Sequence, residues 1–255
     1  MRLQAIVFDV DGTIADTEET HRQAFNQAFQ AHGLDWHWDR ALYGELLEVC
    51  GGKERIAHYI DTRGAVAHAD VERLIAALHA TKTSAYRELI QRGEARARAG
   101  VHRLMREARA AGLRLAIAST TSLENIEPLF TAAFGRESLQ WLQAIATGDM
   151  ARHKKPAPDI YRVVLELLDL DAGEAVAIED SAAGLQAAKA AGLYTVATPN
   201  SWTQSQDFSA ADLLLDSLAD PDHPLSAAQA QVVGGGYLTL EQLGRLHASA
   251  AVRGA

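Results

Sequence analysis

The sequence predicts an α/β fold: a Rossmann-like core with a mostly parallel sheet, plus an inserted all-helical cap domain. Three observations predict it. Short apolar runs alternate with helical patterns over most of the chain, which is the signature of βαβ units. One stretch, from about Thr17 to Arg98, breaks the alternation and reads as helix only. Four polar loops of matched chemistry follow in order where strands should end.

The first run, Ala5-Ile6-Val7-Phe8, is partly β-branched and apolar on both faces, as a buried parallel strand requires. It stops at Asp9-Val10-Asp11-Gly12-Thr13. The helical stretch contains Glu19 to Ala31, Lys53 to Arg63 and Val71 to Arg92. Its junctions are expected near Thr17 and near Ala99-Gly100. A helix from Val101 to Ala111 ends at Gly112, a stop signal. Leu113 to Ala118 is the next strand. Leu123 to Phe134 follows Thr121-x-x-Glu124, a capping-box pattern. Asp159 to Leu168 follows Pro156 and Pro158, with Asp159 as the expected N-cap. Ala175 to Ile178 is a third strand, and the helix from Ser181 to Ala191 ends at Gly192. Tyr194 to Ala197 and, more weakly, Leu213 to Leu215 complete the strands. After Pro224 the chain turns Ala-, Gln- and Gly-rich, and Gly234-Gly235-Gly236 precedes an amphipathic stretch, Leu238 to His247. That end reads as an appended helix or a frayed tail. The expected division is a core of residues 1–16 and 99–225, a cap of 17–98, and a partly disordered extension of 226–255.

Composition narrows the function. The 255 residues are 48% hydrophobic and 22% charged, a soluble globular profile. Lys and Arg total 24 against 33 Asp and Glu, a net charge of −9. That field repels phosphate backbones and anionic lipid, so neither nucleic acid nor membrane is an expected partner. Any phosphate must be held by a local metal or a few placed cations. Cys50 is the single cysteine, which excludes an internal disulfide and a cysteine zinc site. It is expected as a small apolar packing residue. No apolar stretch reaches membrane-spanning length, and the N-terminus lacks a signal peptide's hydrophobic region. A cytoplasmic protein is expected.

Open α/β sheets bind ligands at the carboxyl edge of their strands, so the four loops should converge. The first carries Asp9 and Asp11, which Gly12 allows to face one pocket. Repelling carboxylates need a cation or a shared proton, although a DxDG string alone equally suits a polar turn capped by Asp. The second, Ala118-Ser119-Thr120-Thr121-Ser122, offers hydroxyls and free N–H groups for an anion, with Ser119 the better ligand. In the third, His153-Lys154-Lys155-Pro156-Ala157-Pro158-Asp159, Lys155 is the candidate to point inward and Lys154 fits a solvated surface lysine. The fourth, Ile178-Glu179-Asp180-Ser181, ends a buried strand in an acidic pair. Such a pair is costly unless compensated, and Mg²⁺ fits it.

The four segments DVDGT, ASTTS, KKPAPDIY and IEDSAAG together resemble the motifs of the haloacid dehalogenase-like hydrolase superfamily. The likeness runs to about Leu218. Within it, FDVDGTIADTEETHRQAFNQAF, GLDWHWDR, GGKERIAHYI, TTSLENIE and TGDM look like segments of the CbbY-type phosphatases of xylulose 1,5-bisphosphate. The resemblance implies a Mg²⁺-dependent phosphatase in which Asp9 becomes an aspartyl-phosphate. Asp11 serves as acid and then base, and Lys155 and Ser119 stabilise charge. It implies metal ligation by Asp9, Asp11 through its backbone carbonyl, Asp180, and Glu179 either directly or one step removed. Substrate contacts are expected from Glu18, His21, Gly51, Gly52, Lys53, Arg55, Lys82, Thr120, Thr121 and Asn125. Lys53 and Arg55, beside the Gly51-Gly52 turn, suit a second phosphate, whereas Glu54 reads as a solvated charge. The implied partner is a small sugar phosphate or bisphosphate. The implied link to Rubisco is removal of an inhibitory metabolite, without direct contact.

Asp11 argues against dehalogenase and phosphonate chemistry, which need no proton donor for a sugar alkoxide. His21 with Lys82 also resembles β-phosphoglucomutases, so a sugar phosphomutase stays open, as does a non-catalytic phosphate-binding protein.

Overall fold

Six strands lie parallel in one sheet, in the order β3-β2-β1-β4-β5-β6. They are β1 (Ala5–Phe8), β2 (Arg114–Ala118), β3 (Leu142–Ala146), β4 (Ala175–Glu179), β5 (Tyr194–Ala197) and β6 (Leu213–Leu214). This computed structural model describes residues 2–63 and 70–253. Phe8 is level with Ile117 on one side and Ile178 on the other. The loops after β1, β2 and β4 therefore leave the sheet at one height. The chain reverses direction of travel across the sheet at β1, and this opens a crevice at the carboxyl edge.

Alternation along each strand sends side chains to opposite faces. Ile6, Phe8, Leu115, Ile117, Val176 and Ile178 meet α5 (Val101–Ala110) and α6 (Leu123–Phe134). The other face is Ala5, Val7, Ala116, Ala118, Ala175 and Ala177. Its small side chains let α7 (Asp159–Leu168) and α8 (Ala182–Ala190) approach closely.

β3 departs from the sequence expectation, which placed no strand there. It is one of the two edge strands, and only Ala144 and Ala146 are buried in it, so it lacks the continuous apolar run of the central strands. Two helices begin where expected, at Leu123 and Asp159, but their caps differ. Ser122, not Thr121, is the N-cap of α6 and makes no side-chain cap bond, so the capping box does not form. The Thr121 hydroxyl accepts instead from Asn125 Nδ2 at 3.1 Å. Pro158 takes the N-cap position of α7. Asp159 lies one residue further in and accepts from the His153 backbone N–H at 3.0 Å.

Between β1 and α5 the chain builds the helical cap: α1 (Glu18–Ala31), α2 (Arg40–Leu46), α3 (Gly52–Arg63) and α4 (Val71–Gln91). The cap has its own core of Phe25, Phe29, Trp38, Tyr43, Leu46, Ile56, Ile60 and Leu78. Its two connections run side by side: Asp16 N–H donates to Arg96 at 3.0 Å and Arg98 N–H to Ile14 at 2.9 Å. The Arg98 guanidinium pins this pair by donating to the carbonyls of Gly12, Pro199 and Asp216.

Past Pro224 lie α9 (Ala227–Val233) and α10 (Leu240–Arg253). Val233, Leu238 and Leu243 join the cluster on the bulky sheet face. Arg103 donates to the Leu238 carbonyl at 3.0 Å, and Glu107 accepts from the Leu240 N–H at 2.8 Å. The final two residues of the 226–255 segment, and residues 64–69 within the cap, lie outside the described residues. Among the described residues no helix is long and apolar enough to cross a membrane.

Candidate active site

The centre of the site is the Lys155 ammonium, buried at the sheet edge. It donates to Asp9 Oδ1 at 2.6 Å, to Glu179 Oε1 at 2.6 Å and to the Ala118 carbonyl at 2.9 Å. Each partner ends a different strand, so the sheet register brings three separate segments to one cation. All three ammonium protons are used. Burial opposes its charge, but Asp9 and Glu179 outweigh that and hold Lys155 protonated well above the usual lysine range.

Burial, with the charges of Glu179 and Asp11, raises the Asp9 carboxyl to about 7 against the pull of Lys155. Burial, Asp9 and Glu179 likewise push Asp180 well up. One oxygen from each of Asp9, Glu179 and Asp180 falls within 4.8 Å of the others. One lysine cannot neutralise three buried carboxylates. The donor set is all oxygen, and together these features fit a hard divalent cation.

Glu179 is fully buried and is the one predicted site residue that does not line the cleft. Its Oε1 accepts from Lys155 and from the Tyr161 hydroxyl, and its Oε2 has no hydrogen-bond partner. Gly184 in α8 accommodates it: a Cβ there would lie 2.0 Å from Oε2. Gly184→Ala is expected to displace Glu179, loosen Lys155 and lower kcat by roughly 10–100-fold, in the range of lost orienting contacts. Steady-state kinetics with a thermal melt check this, and wild-type kcat would contradict it.

Asp11 is set differently. Its Oδ1 accepts from the Thr17 hydroxyl at 2.7 Å and contacts His21 Nε2 at 2.9 Å. Lys82 Nζ lies 2.8 Å from His21 Nδ1, so an ammonium there leaves Nε2–H to donate to Asp11. The imidazole stacks on Tyr86 at 4.1 Å, which fixes its plane. Burial alone would raise Asp11, but His21, Thr17 and Lys82 outweigh it and hold it at about 2. Burial lowers Lys82 itself to about 8.

Above these groups is a cleft of about 840 Å³ between core and cap. Asp9, Asp11, Ser119, Thr120, Thr121, Asn125, Lys155 and Asp180 line its core side. Glu18, His21, Gly51, Gly52, Lys53, Arg55 and Lys82 line its cap side. Asn125 Oδ1 is buried without a partner, while Ser119 Oγ accepts from the Thr121 N–H at 3.3 Å. Arg55 is tied into the cap, donating to the carbonyls of Leu46 and Val49 and, at 3.0 Å, to the Tyr43 hydroxyl. Tyr43 in turn donates to Glu18 Oε2 at 2.8 Å.

Three expectations need correction. Lys154 and Glu54 are not separate solvated charges; they pair across the cleft at 2.5 Å. Cys50 is half-buried and lines the cleft instead of packing in the core. His79 and Arg87 also line the cap side and carried no local sequence signal. Burial first, then Lys82 and Lys53, lower His79 to about 4. Tyr161 and Gly184 do lie inside the quoted motifs KKPAPDIY and IEDSAAG, so a signal for them existed.

A model of the haloacid dehalogenase-like hydrolases matches residues 3–192. The chain belongs to the haloacid dehalogenase-like hydrolases. Within that family it is a phosphatase, and the CbbY proteins of two bacteria are matched over 94% and 98% of their length. Protein CbbY of Cereibacter sphaeroides is 49% identical over 219 residues, covering 86% of this chain and 94% of the relative. An Asp-to-Asn variant of CbbY from Rhodobacter sphaeroides, solved with xylulose 1,5-bisphosphate, superposes with a TM-score of 0.81 at 48% identity. That match covers 86% of this chain and 96% of the other. A β-phosphoglucomutase from Clostridium difficile shares the fold at a TM-score of 0.73 and 20% identity, covering 98% of this chain and 100% of that one. The hydrolase therefore has its paired carboxylates, lysine and second acidic pair in a fold common to phosphatases and mutases.

Proposed function

We propose that this phosphatase removes one phosphate from a sugar bisphosphate, xylulose 1,5-bisphosphate being the favoured substrate and xylulose 5-phosphate the product. The observation that carries the reading is one cleft with the carboxylates Asp9 and Asp11 on its core side and the cations Lys53 and Arg87 on its cap side. The 48% identity to a CbbY solved with that bisphosphate supports the choice of sugar.

Lys155 restrains Asp9 Oδ1, so Oδ2 is the oxygen that attacks phosphorus. The phosphorus–ester bond breaks and the leaving alkoxide takes the Asp11 proton. Asp11 is ionised in this arrangement; an incoming phosphate dianion raises it by repulsion, and Asp11 takes up from solvent, as the substrate binds, the proton that it then donates. Asp11 then takes a proton from the water that cleaves the aspartyl-phosphate. The Lys155 charge and the Ser119 hydroxyl are placed to stabilise the charge that develops on the phosphoryl oxygens. Mg²⁺ held by Asp9, Asp180 and the Asp11 carbonyl would supply further charge neutralisation there. Glu179, engaged by Lys155 and Tyr161, acts one step removed. Closing a cap of residues 17–98 over a core of 1–16 and 99–225 excludes water. Removal of an inhibitory bisphosphate would connect the enzyme to Rubisco without contact between them.

Cation dependence has a pH signature. Asp9 titrates at about 7 when folded, against 3.8 for its ordinary value. Between those values the fold holds the extra proton, so raising pH through this window removes stability from the cation-free protein. Saturating Mg²⁺ should raise Tm by roughly 5–10 °C at pH 7.5 and by less at pH 5, where protons compete. An equal shift at both pH values would contradict it.

The deciding assay offers Mg²⁺ and a panel of sugar mono- and bisphosphates, with free phosphate and isomers measured separately. Isomer without net phosphate would establish the phosphomutase reading, which the His21–Asp11 contact keeps in view. Lys53→Ala should raise KM for bisphosphates roughly tenfold, the cost of one charge-assisted contact, and spare monophosphates. Equal loss on both would remove Lys53 from the distal phosphate. Arg55→Ala should weaken both classes, because its guanidinium supports Leu46, Val49 and Tyr43.

A further inference from the structure

We propose that Asn200 is a positioning residue for the cation ligand Asp180, and that its loop ties this hold to docking of the cap. The proposal rests on the reading of Asp180 as a ligand.

Asn200 follows β5 and joins three segments. Its Nδ2 donates to Asp180 Oδ2 at 2.7 Å and to the Gly12 carbonyl at 3.3 Å. Its Oδ1 accepts from the Trp202 N–H at 2.8 Å. That bond sets the flip of the amide and aims the NH₂ at Asp180. The Asn200 N–H itself donates to Thr203 Oγ1 at 3.0 Å. Asp180 Oδ1 accepts from Thr13 at 3.2 Å. Each carboxylate oxygen therefore has one donor and keeps a lone-pair direction for a cation. The junction is tight: a Cβ on Gly12 would lie 2.3 Å from Asp180 Oδ2 and 2.6 Å from Asn200 Nδ2. An amide fixes the ligand without adding positive charge, so the acidic site keeps its demand for a divalent ion.

The same loop is one of the places where the core meets the cap. The Arg40 guanidinium lies 4.0 Å from the centre of the Trp202 ring, and Arg40 also donates to the Ser201 hydroxyl at 3.0 Å. Tyr43 meets Trp202 edge-on at 5.5 Å. Both partners belong to α2, and Trp202 packs against the cap's own core. Trp202 thus uses its backbone to set Asn200 and its ring to seat the cap. Lifting the cap frees the ring, loosens the loop and weakens the grip on Asp180. By linkage, a cation that favours the gripped Asp180 favours the docked cap by the same factor.

Calorimetric titration of MgCl₂ into the metal-free full chain tests this without turnover. Asn200→Ala should weaken Mg²⁺ binding about tenfold, the low end for a residue that orients a ligand. Trp202→Ala and Arg40→Ala should each weaken it about threefold. Trp202→Ala should cost nothing more in the Asn200→Ala background. Wild-type affinity in Asn200→Ala overturns the positioning role. Unchanged affinity in the two cap-contact variants, or losses that multiply in the double variant, overturns the coupling. Arg40 has a side chain 59% exposed, so Arg40→Ala carries the test if Trp202→Ala fails to fold. A wild-type protein that takes up no Mg²⁺ overturns Asp180 as a ligand before any variant is compared.

Discussion

Asp9→Asn is expected to lower turnover on every phosphate ester by about 10⁴-fold or more, the scale seen when a covalent nucleophile is lost. The fold should remain. Asparagine has the same shape, and it removes one of three crowded carboxylates while leaving Lys155 paired with Glu179. Tm should hold within a few degrees or rise in the absence of cation. Phosphate release and a thermal melt on the same preparation separate the two effects. Turnover within tenfold of wild type would take the nucleophile's role from Asp9.

Lys155→Met should damage both activity and fold. It leaves Asp9 and the fully buried Glu179 without their common cation. Breaking a buried pair from one side costs about 3–5 kcal/mol, or roughly 10 °C in Tm for a domain of this size. Turnover should fall by about 10³-fold, since the charge facing the phosphoryl oxygens goes with it. The stability loss should grow from pH 5 to pH 8, because Asp9, already raised to about 7 beside Lys155, loses its proton across that range. Lys154→Met is the control. Its partner Glu54 is 46% exposed, so the loss there is at most about 1 kcal/mol. Equal melting of the two variants would end the claim that Lys155 organises the centre.

The contrast between these neighbours shows how far local sequence reaches. A lysine before a proline-rigid loop favoured Lys155 over Lys154 as the inward side chain, and the structure places it against Asp9 and Glu179. It could not disclose that Lys154 crosses to Glu54, because that pair joins residues 100 positions apart on facing sides of the cleft. Strands with both faces buried were readable from continuous apolar runs such as Ala5–Phe8. The edge strand Leu142–Ala146 was not, since it has only two buried positions. Arg55 looked like a phosphate ligand by charge and place in the chain. Its donors are turned to Leu46, Val49 and Tyr43, which only the packing of α2 against α3 determines.

The division has a physical basis. Burial, turn chemistry and the repulsion of adjacent carboxylates act over a few residues, so the one-dimensional order already dictated five of the six strands, the helical insertion and the acidic loops. Which oxygen Lys155 grips, why Gly184 has no side chain, and how Asn200 reaches both Asp180 and the Trp202 backbone are matters of register between strands and of close approach between helices. Those are set by long-range packing, where contacts between residues tens to more than a hundred positions apart compete within tenths of an ångström.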